Sequence, residues 1–340
     1  MIAIIDVMKA IVQDRYGSPD DLALREVDKP VPAAGEVLVR VHAAAINARD
    51  WHFMRGDPYL ARLAMPAFFG LSGPKRQVRG SDVAGRVEAV GAGVTRFRPG
   101  DEVYGDVREM DGAFAEYVCA PEGTLDRKPA NLTFEQAAAV PLAGCTALVG
   151  LRVGQAGPGR RVLINGASGG VGTFAVQIAK ARGALVTAVC STRNIELVRS
   201  LGADHVIDYT REDFSRSERR YDVVFDLVAN RSLADLRRVL TPDGTLILSG
   251  GGVSRSGRPH LAGPMGLTMK AQAMARFVRH RLHPLTDVRP SAANLAELRE
   301  MIESGQVVPA IDRTFTLAEV PEAIRYVEVE HARAKVVITV

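Results

Sequence analysis

The sequence predicts an α/β protein of two domains, in which a β-rich domain built from both chain ends encloses an inserted, doubly wound α/β domain. Three observations carry this prediction. Short β-like runs broken by Gly and Pro dominate residues 8–130, helical and strand patterns alternate over residues 131–290, and residues 291–340 add two helices and a closing strand. A chain of 340 residues is long enough for two hydrophobic cores.

The composition is that of an ordinary globular protein, with 47% hydrophobic and 24% charged residues. The net charge of +4 includes a basic cluster over residues 276–283, but no DNA- or RNA-binding motif accompanies it, which disfavours nucleic acid as a partner. No apolar run reaches 18 residues, so we expect no membrane span. Cys119, Cys145 and Cys190 lie far apart without a CxxC, which suits a reducing compartment and predicts a cytoplasmic protein.

Several short runs near the two chain ends are typical of strands and helices of the β-rich domain. Turn residues such as Pro99-Gly100-Asp101 separate the strands. The predicted strands are Leu38–Val41, Val83–Ala89, Asp101–Tyr104 and Ala113–Cys119, and the C-terminal part adds helices over Leu295–Glu303 and Pro321–Glu330 before a strand over Lys335–Val340.

The middle of the chain alternates strand and helix in the rhythm of a mononucleotide-binding half. The predicted elements are a strand Val162–Ile164, a helix Thr173–Arg182, a strand Leu185–Cys190, a helix Asn194–Leu201 and a strand His205–Asp208. Two near-continuous apolar runs, Tyr221–Leu227 and Thr245–Ser249, read as buried strands of a parallel sheet. We expect the helix Leu233–Leu240 between them to stop at the turn Thr241-Pro242-Asp243-Gly244.

A glycine-dense turn, Ala167-x-Gly169-x-x-Gly172, joins the first of these strands to its helix. Without a Cβ, Gly169 lets the backbone approach a pyrophosphate, and Gly172 lets the helix pack closely on the strand. The helix N-terminus offers N–H groups and a partial positive charge to phosphates. The turn therefore predicts a dinucleotide site that includes Ser168, Gly169, Gly170, Val171 and Gly172.

The same turn also fits the nucleophile elbow of an α/β-hydrolase, read as Gly166-x-Ser168-x-Gly170. The elbow has no need of a glycine at 172, and no persuasive Asp-then-His pair follows Ser168. The βαβαβ rhythm that follows therefore favours dinucleotide binding over a serine hydrolase.

Several ordered blocks together resemble the medium-chain dehydrogenase/reductase superfamily. They are RGSDVAGRVEAVG at 79–91, FRPGDEVYG at 97–105, GAFAEYV at 112–118, AAAVPLAGCTAL at 137–148, INGASGGVG at 164–172, RSLGADHVIDY at 199–209, YDVVFDLV at 221–228 and KVVI at 335–338. Within the superfamily the chain is similar to the zinc-independent quinone and enone reductases. The resemblance implies a GroES-like domain over 8–130 and 291–340, a Rossmann domain over 131–290, and hydride transfer to a quinone or an α,β-unsaturated carbonyl that enters the cleft between them.

In zinc-dependent relatives a Cys, a His-Glu pair and a further Cys hold the catalytic zinc. The matching positions here are Asn47, Ser81-Asp82 and Leu142. One carboxylate cannot assemble a tetrahedral zinc site, and the four-cysteine structural lobe is also missing, so we expect no metal. An acceptor whose own conjugation stabilises the developing oxyanion then fits better than a plain alcohol or ketone.

The end of the second Rossmann strand reads Cys190-Ser191-Thr192-Arg193, with no carboxylate of the kind that binds the 2′-hydroxyl of NAD. Arg193 suits a 2′-phosphate and Ser191 can donate to it, which predicts NADPH as the cofactor. A solvated arginine at the start of a helix is the alternative. The resemblance adds Tyr209 at the adenosine end and Thr146 near the nicotinamide, and Ser249 and Gly250 are expected to border the same crevice.

By resemblance Asn47 faces the nicotinamide, where its amide can bond the ribose or the substrate carbonyl. Trp51 is a candidate wall of the substrate pocket or a core residue, and His52 and Tyr59 are candidate hydrogen-bond or proton donors to the acceptor oxygen. His52 is as plausible as a surface residue of a helix, and Asp50 is expected to be structural. Ala334 stands where the family often has Gly, which puts in doubt any role that needs a positive φ there.

Two further possibilities stay open at this point. The chain fits an NADPH-binding regulatory protein with little turnover, or a zinc-type alcohol dehydrogenase. A homodimer formed through the edge strand of the cofactor sheet, predicted near Leu285–Arg289, is also open.

Overall fold

A computed structural model describes residues 6–56, 70, 73–107, 111–250, 265–285, 288–329 and 332–340. Its strands and helices follow one another in the order β1 (Val7–Gln13), β2 (Leu22–Asp28), β3 (Glu36–Ile46), α1 (Ala48–Arg55), β4 (Asp82–Val90), β5 (Glu102–Asp106), β6 (Tyr117–Pro121), β7 (Leu125–Arg127), α2 (Phe134–Ala138), α3 (Pro141–Val153), β8 (Arg161–Asn165), α4 (Gly170–Ala181), β9 (Leu185–Cys190), α5 (Ile195–Ser200), β10 (His205–Asp208), β11 (Tyr221–Asp226), α6 (Leu233–Arg238), β12 (Leu240–Leu248), α7 (Met265–Met274), β13 (Arg281–Pro284), α8 (Ala292–Glu303), β14 (Ile311–Thr316), α9 (Val320–Val329) and β15 (Lys335–Thr339).

The chain divides into two compact units. Unit 1 comprises Met1–Leu142, Pro290–Glu303 and Pro309–Val340, and unit 2 comprises Ala143–Arg289 and Ser304–Val308. The first division falls after Leu142, because α2 packs on β3 and β4 and so belongs with the β-rich part of the chain.

Unit 1 contains a mixed sheet in the order β14-β15-β3-β4-β5-β7, in which β6 also pairs with β3. Strand β15, from the far end of the sequence, pairs antiparallel with β3 and parallel with β14. A separate antiparallel pair, β1 and β2, adds to the unit. The core takes its side chains from early and late segments alike, among them Val39, Phe114, Ile324 and Ile338. Both chain ends are therefore needed to complete this sheet and its core.

Unit 2 contains a parallel sheet in the order β10-β9-β8-β11-β12-β13, the doubly wound order of a Rossmann fold. Its strands are rich in buried Val, Ile and Leu, as expected where helices cover both faces of a sheet. The strand order reverses between β8 and β11, so their carboxyl ends form the switch point at which such folds bind ligands.

The ends of several predicted elements shift in the structure, as β3 shows, and three further differences concern the sheets. Strand β12 begins at Leu240 and runs through the predicted turn, because Tyr221 pairs with Leu240 and Val223 with Thr245, which leaves the intervening residues as a bulge. Strand β6 covers Tyr117–Pro121 rather than Ala113–Cys119. The edge strand of the parallel sheet is β13, at Arg281–Pro284, and not Leu285–Arg289; residues 286–287 lie outside the described residues.

Candidate functional site

The glycine turn of unit 2 joins the end of β8 to the start of α4. Gly166 has a positive φ of 89° and turns the chain, and Thr173 N donates to Gly169 O at 3.0 Å as the helix begins. The N–H groups of Gly170, Val171 and Gly172 precede that first helical bond. This is the arrangement of backbone donors that binds a phosphate at a helix N-terminus.

The two key glycines of the turn differ in what surrounds them. A Cβ on Gly172 would lie 2.2 Å from the carbonyl oxygen of Gly166, so close helix packing itself requires glycine there. A Cβ on Gly169 would make only an ordinary 3.5 Å contact with the same oxygen. Gly172 is therefore required by the fold, whereas Gly169 keeps open a space that the fold does not fill.

Asn194 links this turn to the end of β9. Its Nδ2 donates to Ser168 Oγ at 2.9 Å and to Ser191 Oγ at 3.2 Å, while its Oδ1 is buried and accepts no hydrogen bond from the described part of the chain. Sequence reasoning used Asn194 only as a helix start. The role of Asn194 as a link between the two predicted cofactor-binding serines was therefore missed.

Ser191, Arg193 and Tyr209 lie at the adjoining ends of β9 and β10. Tyr209 N donates to Cys190 O at 3.0 Å, which places the segment after β10 beside the segment after β9. Arg193 and Tyr209 are exposed, and Ser191 is half-buried. The structure thus brings these three predicted cofactor residues to one corner of unit 2.

A carboxylate also lies at this corner, which the sequence analysis did not anticipate because it comes from β10. Asp208 accepts hydrogen bonds from Thr192 Oγ1 at 2.5 Å and Thr210 Oγ1 at 2.8 Å. These bonds, led by that from Thr192, lower the pKa of Asp208, and the Arg211 guanidinium lies 3.6 Å away. The charge of Asp208 is therefore already engaged by its own loop.

The switch point of the parallel sheet carries a pair of hydrogen-bonded polar side chains that the sequence analysis did not predict. Asn165 ends β8 and Asp226 ends β11, and Asn165 Nδ2 donates to Asp226 Oδ1 at 2.8 Å. Burial raises the pKa of Asp226. Ser249 N donates to the backbone oxygen of Asp226 at 2.9 Å, and Gly250 follows with a φ of 124°, so the predicted Ser249 and Gly250 flank this pair.

Thr146, the predicted nicotinamide neighbour, is 7% exposed on α3. It belongs to unit 2, together with the other predicted cofactor residues except Asn47, which lies in unit 1.

Unit 1 holds a buried polar cluster around Asn47. Asn47 Nδ2 donates to Asp82 Oδ2 at 3.0 Å, and the backbone N–H of Asn47 donates to Asp50 Oδ2 at 2.7 Å. Lys335 Nζ donates to Asn47 Oδ1 at 2.5 Å and to Asp82 Oδ2 at 3.2 Å. The second oxygen of Asp82 accepts the backbone N–H of Leu142 at 2.9 Å.

The polar residues of this cluster lie in the interior of unit 1. Asn47 is only 6% exposed, and Asp50 bonds backbone as expected for a structural residue. The sequence analysis named Lys335 only as the first residue of the last predicted strand. The sequence signal for its role was a lysine at the first position of a strand that is otherwise mostly apolar and buried.

The remaining candidates of unit 1 lie on or beyond α1. Trp51 is 4% exposed and packs in the hydrophobic core, which matches the core role that the sequence analysis left open. His52 is half-buried and stacks on Trp51 with ring centroids 3.7 Å apart. Tyr59 lies outside the described residues.

Two family models match this chain. The alcohol dehydrogenase GroES-like domain matches residues 33–130, and the zinc-binding dehydrogenase model matches residues 201–338. The chain is 36% identical over 343 residues to the chloroplastic NADPH-dependent alkenal/one oxidoreductase of Arabidopsis thaliana, covering 97% of this chain and 79% of that protein. It is 35% identical over 362 residues to a mitochondrial NAD(P)H oxidoreductase of Mus musculus, covering 98% and 89%.

The quinone oxidoreductase from Coxiella burnetii has the same fold, with a TM-score of 0.84, 29% identity, and coverage of 98% of this chain and 100% of that one. The chain belongs to the medium-chain dehydrogenase/reductase superfamily. As a member of that superfamily it is an oxidoreductase that uses a nicotinamide cofactor.

The zinc site implied by one of the matching family models does not fit the residues of this superfamily member. Asn47, Asp82 and the backbone of Leu142 do converge, but the Lys335 ammonium lies within 3.2 Å of both Asn47 Oδ1 and Asp82 Oδ2. A cation cannot share that position with another cation. Among the described residues, no group of three or more His, Cys, Asp or Glu side chains is placed to hold a metal ion.

The helices that the structure describes in this superfamily member are all too short or too polar to cross a membrane. Its three cysteines are buried and form no disulfide.

Proposed function

We propose that this chain is a zinc-independent, NADPH-dependent reductase of quinones or α,β-unsaturated carbonyls. The observation that carries the proposal is the Lys335 ammonium held between Asn47 and Asp82, at the positions where zinc-dependent relatives have metal ligands. With that position filled by a side chain, no metal ion can polarise the substrate oxygen there, which favours an acceptor whose own conjugation stabilises the developing charge. The alkenal/one oxidoreductase and quinone oxidoreductase among its relatives are named for acceptors of this kind.

Unit 2 supplies the groups that fit the cofactor. The N–H groups of Gly170, Val171 and Gly172 suit the pyrophosphate, and the open space at Gly169 allows its approach. Ser168 and Ser191, held by Asn194, add hydroxyl groups to the same region. NADPH, when bound, supplies the hydride. Thr146, Ser249 and Gly250 are our candidates for contacts near the nicotinamide.

NADPH rather than NADH is supported by the corner formed by Ser191, Arg193 and Tyr209. Arg193 supplies a planar cation suited to a 2′-phosphate, and the carboxylate of Asp208 at the same corner accepts hydrogen bonds from Thr192 and Thr210. An aromatic ring at Tyr209, 45% exposed, offers a surface for the adenosine.

The bonds already made by Asn47 restrict its role toward the substrate. One N–H of its amide is committed to Asp82, and the other points to the Ala45 carbonyl at 3.5 Å. Its Oδ1 keeps one lone pair beyond the bond from Lys335. Asn47 therefore suits a hydroxyl donor, such as that of a ribose, better than a substrate carbonyl. His52 and Tyr59 remain our candidates for donors to the acceptor oxygen, with water as the alternative proton source.

Arg193→Ala tests the cofactor assignment. We expect it to weaken NADPH binding by about ten- to a hundredfold, the value of a hydrogen bond to a charged group, with little effect on NADH. Arg199→Ala on α5 is the matched control, since Arg199 pairs with Glu196 in solvent. Calorimetric titration of both cofactors measures the effect, and equal losses for NADPH and NADH would contradict the assignment.

A panel of quinones, enones and saturated ketones or aldehydes tests the reaction. We expect NADPH oxidation with the conjugated acceptors only, and no loss of activity on treatment with a chelator. Reduction of saturated carbonyls that depends on added zinc would favour the alcohol dehydrogenase alternative. Tight NADPH binding without turnover of any acceptor would favour the regulatory alternative.

We also propose a cytoplasmic protein, on the basis of three buried free cysteines, although two of the relatives described above are named as chloroplastic and mitochondrial. The edge strand β13 is the candidate surface for a homodimer, because no strand among the described residues pairs with its outer side. Sedimentation of the purified protein measures that oligomeric state.

A further inference from the structure

The Lys335 ammonium is enclosed by three acceptors that come from separate parts of unit 1. Its Nζ donates to the Ile46 carbonyl at 3.2 Å, to Asn47 Oδ1 at 2.5 Å and to Asp82 Oδ2 at 3.2 Å. Lys335 is 2% exposed and Asp82 is fully buried. All three ammonium hydrogens thus have an acceptor, which is the condition for keeping such a charge inside a protein.

The partner carboxylate is equally committed. Asp82 Oδ2 takes the ammonium and the Asn47 amide, while Oδ1 takes the backbone N–H of Leu142. The pair therefore joins the start of β15, the end of β3, the start of β4 and the start of α3. A fully bonded pair of this kind is rigid, since neither charge can move without losing a buried partner.

Between these two charges, the Asn47 amide has one favourable direction. Its oxygen faces the ammonium and its nitrogen faces the carboxylate. A flipped amide would set its NH₂ group against the ammonium and its oxygen against the carboxylate, so each charge would lose one hydrogen bond and face a group of like polarity. The ion pair thereby selects the orientation of Asn47, and it presents the remaining lone pair of Oδ1 rather than an N–H.

We propose that Lys335 is a positioning residue, which fixes the Asn47 amide through its bond to Oδ1 and through Asp82. This inference rests on the proposed function, in which Asn47 contacts a hydroxyl group during reduction. Lys335 does not itself touch the substrate. Its effect on turnover passes through the direction of the Asn47 side chain.

A purely structural role of the ion pair is the competing explanation, and a neutral double variant separates the two. Lys335→Met alone leaves Asp82 as an unpaired buried anion and destabilises unit 1. Lys335→Met with Asp82→Asn removes both charges and restores stability. The new amide at 82 still accepts the Leu142 N–H, so its nitrogen faces Asn47 and favours the flipped orientation of that residue.

The experiment compares kcat and KM for NADPH and a conjugated acceptor, with thermal unfolding, for five proteins: wild type, the single variant, the double variant, Asn47→Ala and the double variant carrying Asn47→Ala. Lys29→Met is the matched control. Lys29 is also a partly buried lysine of unit 1 that pairs with carboxylates, those of Asp6 and Glu88.

We expect the double variant to recover the melting temperature of the wild type but to keep a kcat lowered by about tenfold or more, because the orientation of a contacting group is lost. Its KM for NADPH should change much less, and Asn47→Ala should then add little further loss. Recovery of kcat along with stability would overturn the proposal. So would a full additional loss from Asn47→Ala in the double variant.

A measurement without turnover keeps this inference separate from the proposed function. In protein labelled with ¹⁵N at asparagine side chains, six pairs of amide-proton signals are expected for the wild type, and Asp82→Asn adds a seventh pair in the double variant. Loss of one pair in Asn47→Ala identifies the signals of Asn47. We expect the Asn47 amide protons to exchange slowly in the wild type and to change in shift and exchange in the double variant. Unchanged signals would refute the role of Lys335, whereas a wild type that reduces none of the acceptors would refute the proposed function alone.

Discussion

The buried carboxyl group of Asp50 provides a test of how burial changes a pKa in unit 1 and so makes stability depend on pH. Its carboxyl group is buried at the first turn of α1 and accepts the backbone N–H of Asn47 at 2.7 Å. Burial raises its pKa from 3.8 to about 7, and the nearby carboxylates of Asp111 and Asp82 add to that effect. The Arg49 guanidinium and the Asn47 N–H act in the opposite direction.

The sign of the resulting pH dependence follows from proton binding. Between the unfolded pKa of 3.8 and the folded value of about 7, the folded protein holds a proton at Asp50 that the unfolded chain releases. The free energy of unfolding therefore falls as pH rises through this window. Each pH unit well inside the window contributes about 1.36 kcal/mol and the slope halves at the folded pKa, so the interval from pH 5 to pH 8 removes about 2.7 kcal/mol.

Asp50→Asn removes this titration while keeping an oxygen for the Asn47 N–H. We expect the free energy of unfolding of the variant, relative to wild type, to rise by about 2.7 kcal/mol between pH 5 and pH 8, with most of the rise below pH 7. Guanidinium unfolding at pH 5, 6, 7 and 8 measures the difference in free energy of unfolding between the variant and the wild type. Taking this difference removes the contributions of the other titrating groups, which the two proteins share.

Asp21→Asn is the matched control, because Asp21 also caps a helical turn, the short 3₁₀ helix Pro19–Asp21, by accepting the backbone N–H of Ser18 at 2.8 Å. Its bonds to Ser18 and Arg15 lower its pKa below 3.8, so its contribution is fully present above that value and is lost only in more acidic solution. Its difference from wild type should be constant from pH 5 to pH 8. A constant difference for Asp50→Asn as well would refute the reasoning.

Two further predictions concern backbone geometry. Ala334 has a φ of 55°, so Ala334→Gly should raise the free energy of unfolding by roughly 0.5–1 kcal/mol. This value is the left-handed strain that glycine relieves, minus the conformational entropy that glycine adds to the unfolded chain. A lower free energy of unfolding for the variant, measured with guanidinium, would contradict this. Gly172→Ala should lower the melting temperature, because its Cβ would lie 2.2 Å from Gly166 O, whereas Gly169→Ala should keep the melting temperature and weaken NADPH binding. Thermal unfolding and NADPH titration compare the two, and equal destabilisation would show that the fold requires both glycines.

The sequence predicted best what depends on near neighbours. The strands Leu185–Cys190 and His205–Asp208 were predicted with their observed bounds, because each is a short apolar run between clear turn residues. The start of β12 was missed, since Pro242 and Gly244 signal a turn and only the pairing of Tyr221 with Leu240 reveals a bulge. The conformation of Ala334 was likewise judged from residue type, which argued against a positive φ, yet its φ is 55°.

The candidate site was predicted in part for the same reason. The phosphate turn is local, so its glycines were assigned roles that their surroundings explain. The cluster around Asn47 depends on Asp82 and Lys335, which are 253 residues apart, and no short pattern connects them. Asp208 at the cofactor corner was missed because it comes from the adjoining strand rather than from β9.

The late position of Lys335 in the chain bears on how the protein is made. Ribosomes add about 5–20 residues per second, so Asp82 emerges roughly 13 to 50 seconds before the lysine 253 residues later. During that interval β3 and β4 have no β15 beside them, and the carboxylate of Asp82 has no cation in its buried position. The middle of the chain, with β8 through β13, is complete first. Folding of unit 1 can therefore be completed only after β15 has been synthesised. That strand supplies the missing neighbour of β3 and the Lys335 ammonium, which compensates the Asp82 carboxylate when it is buried away from water.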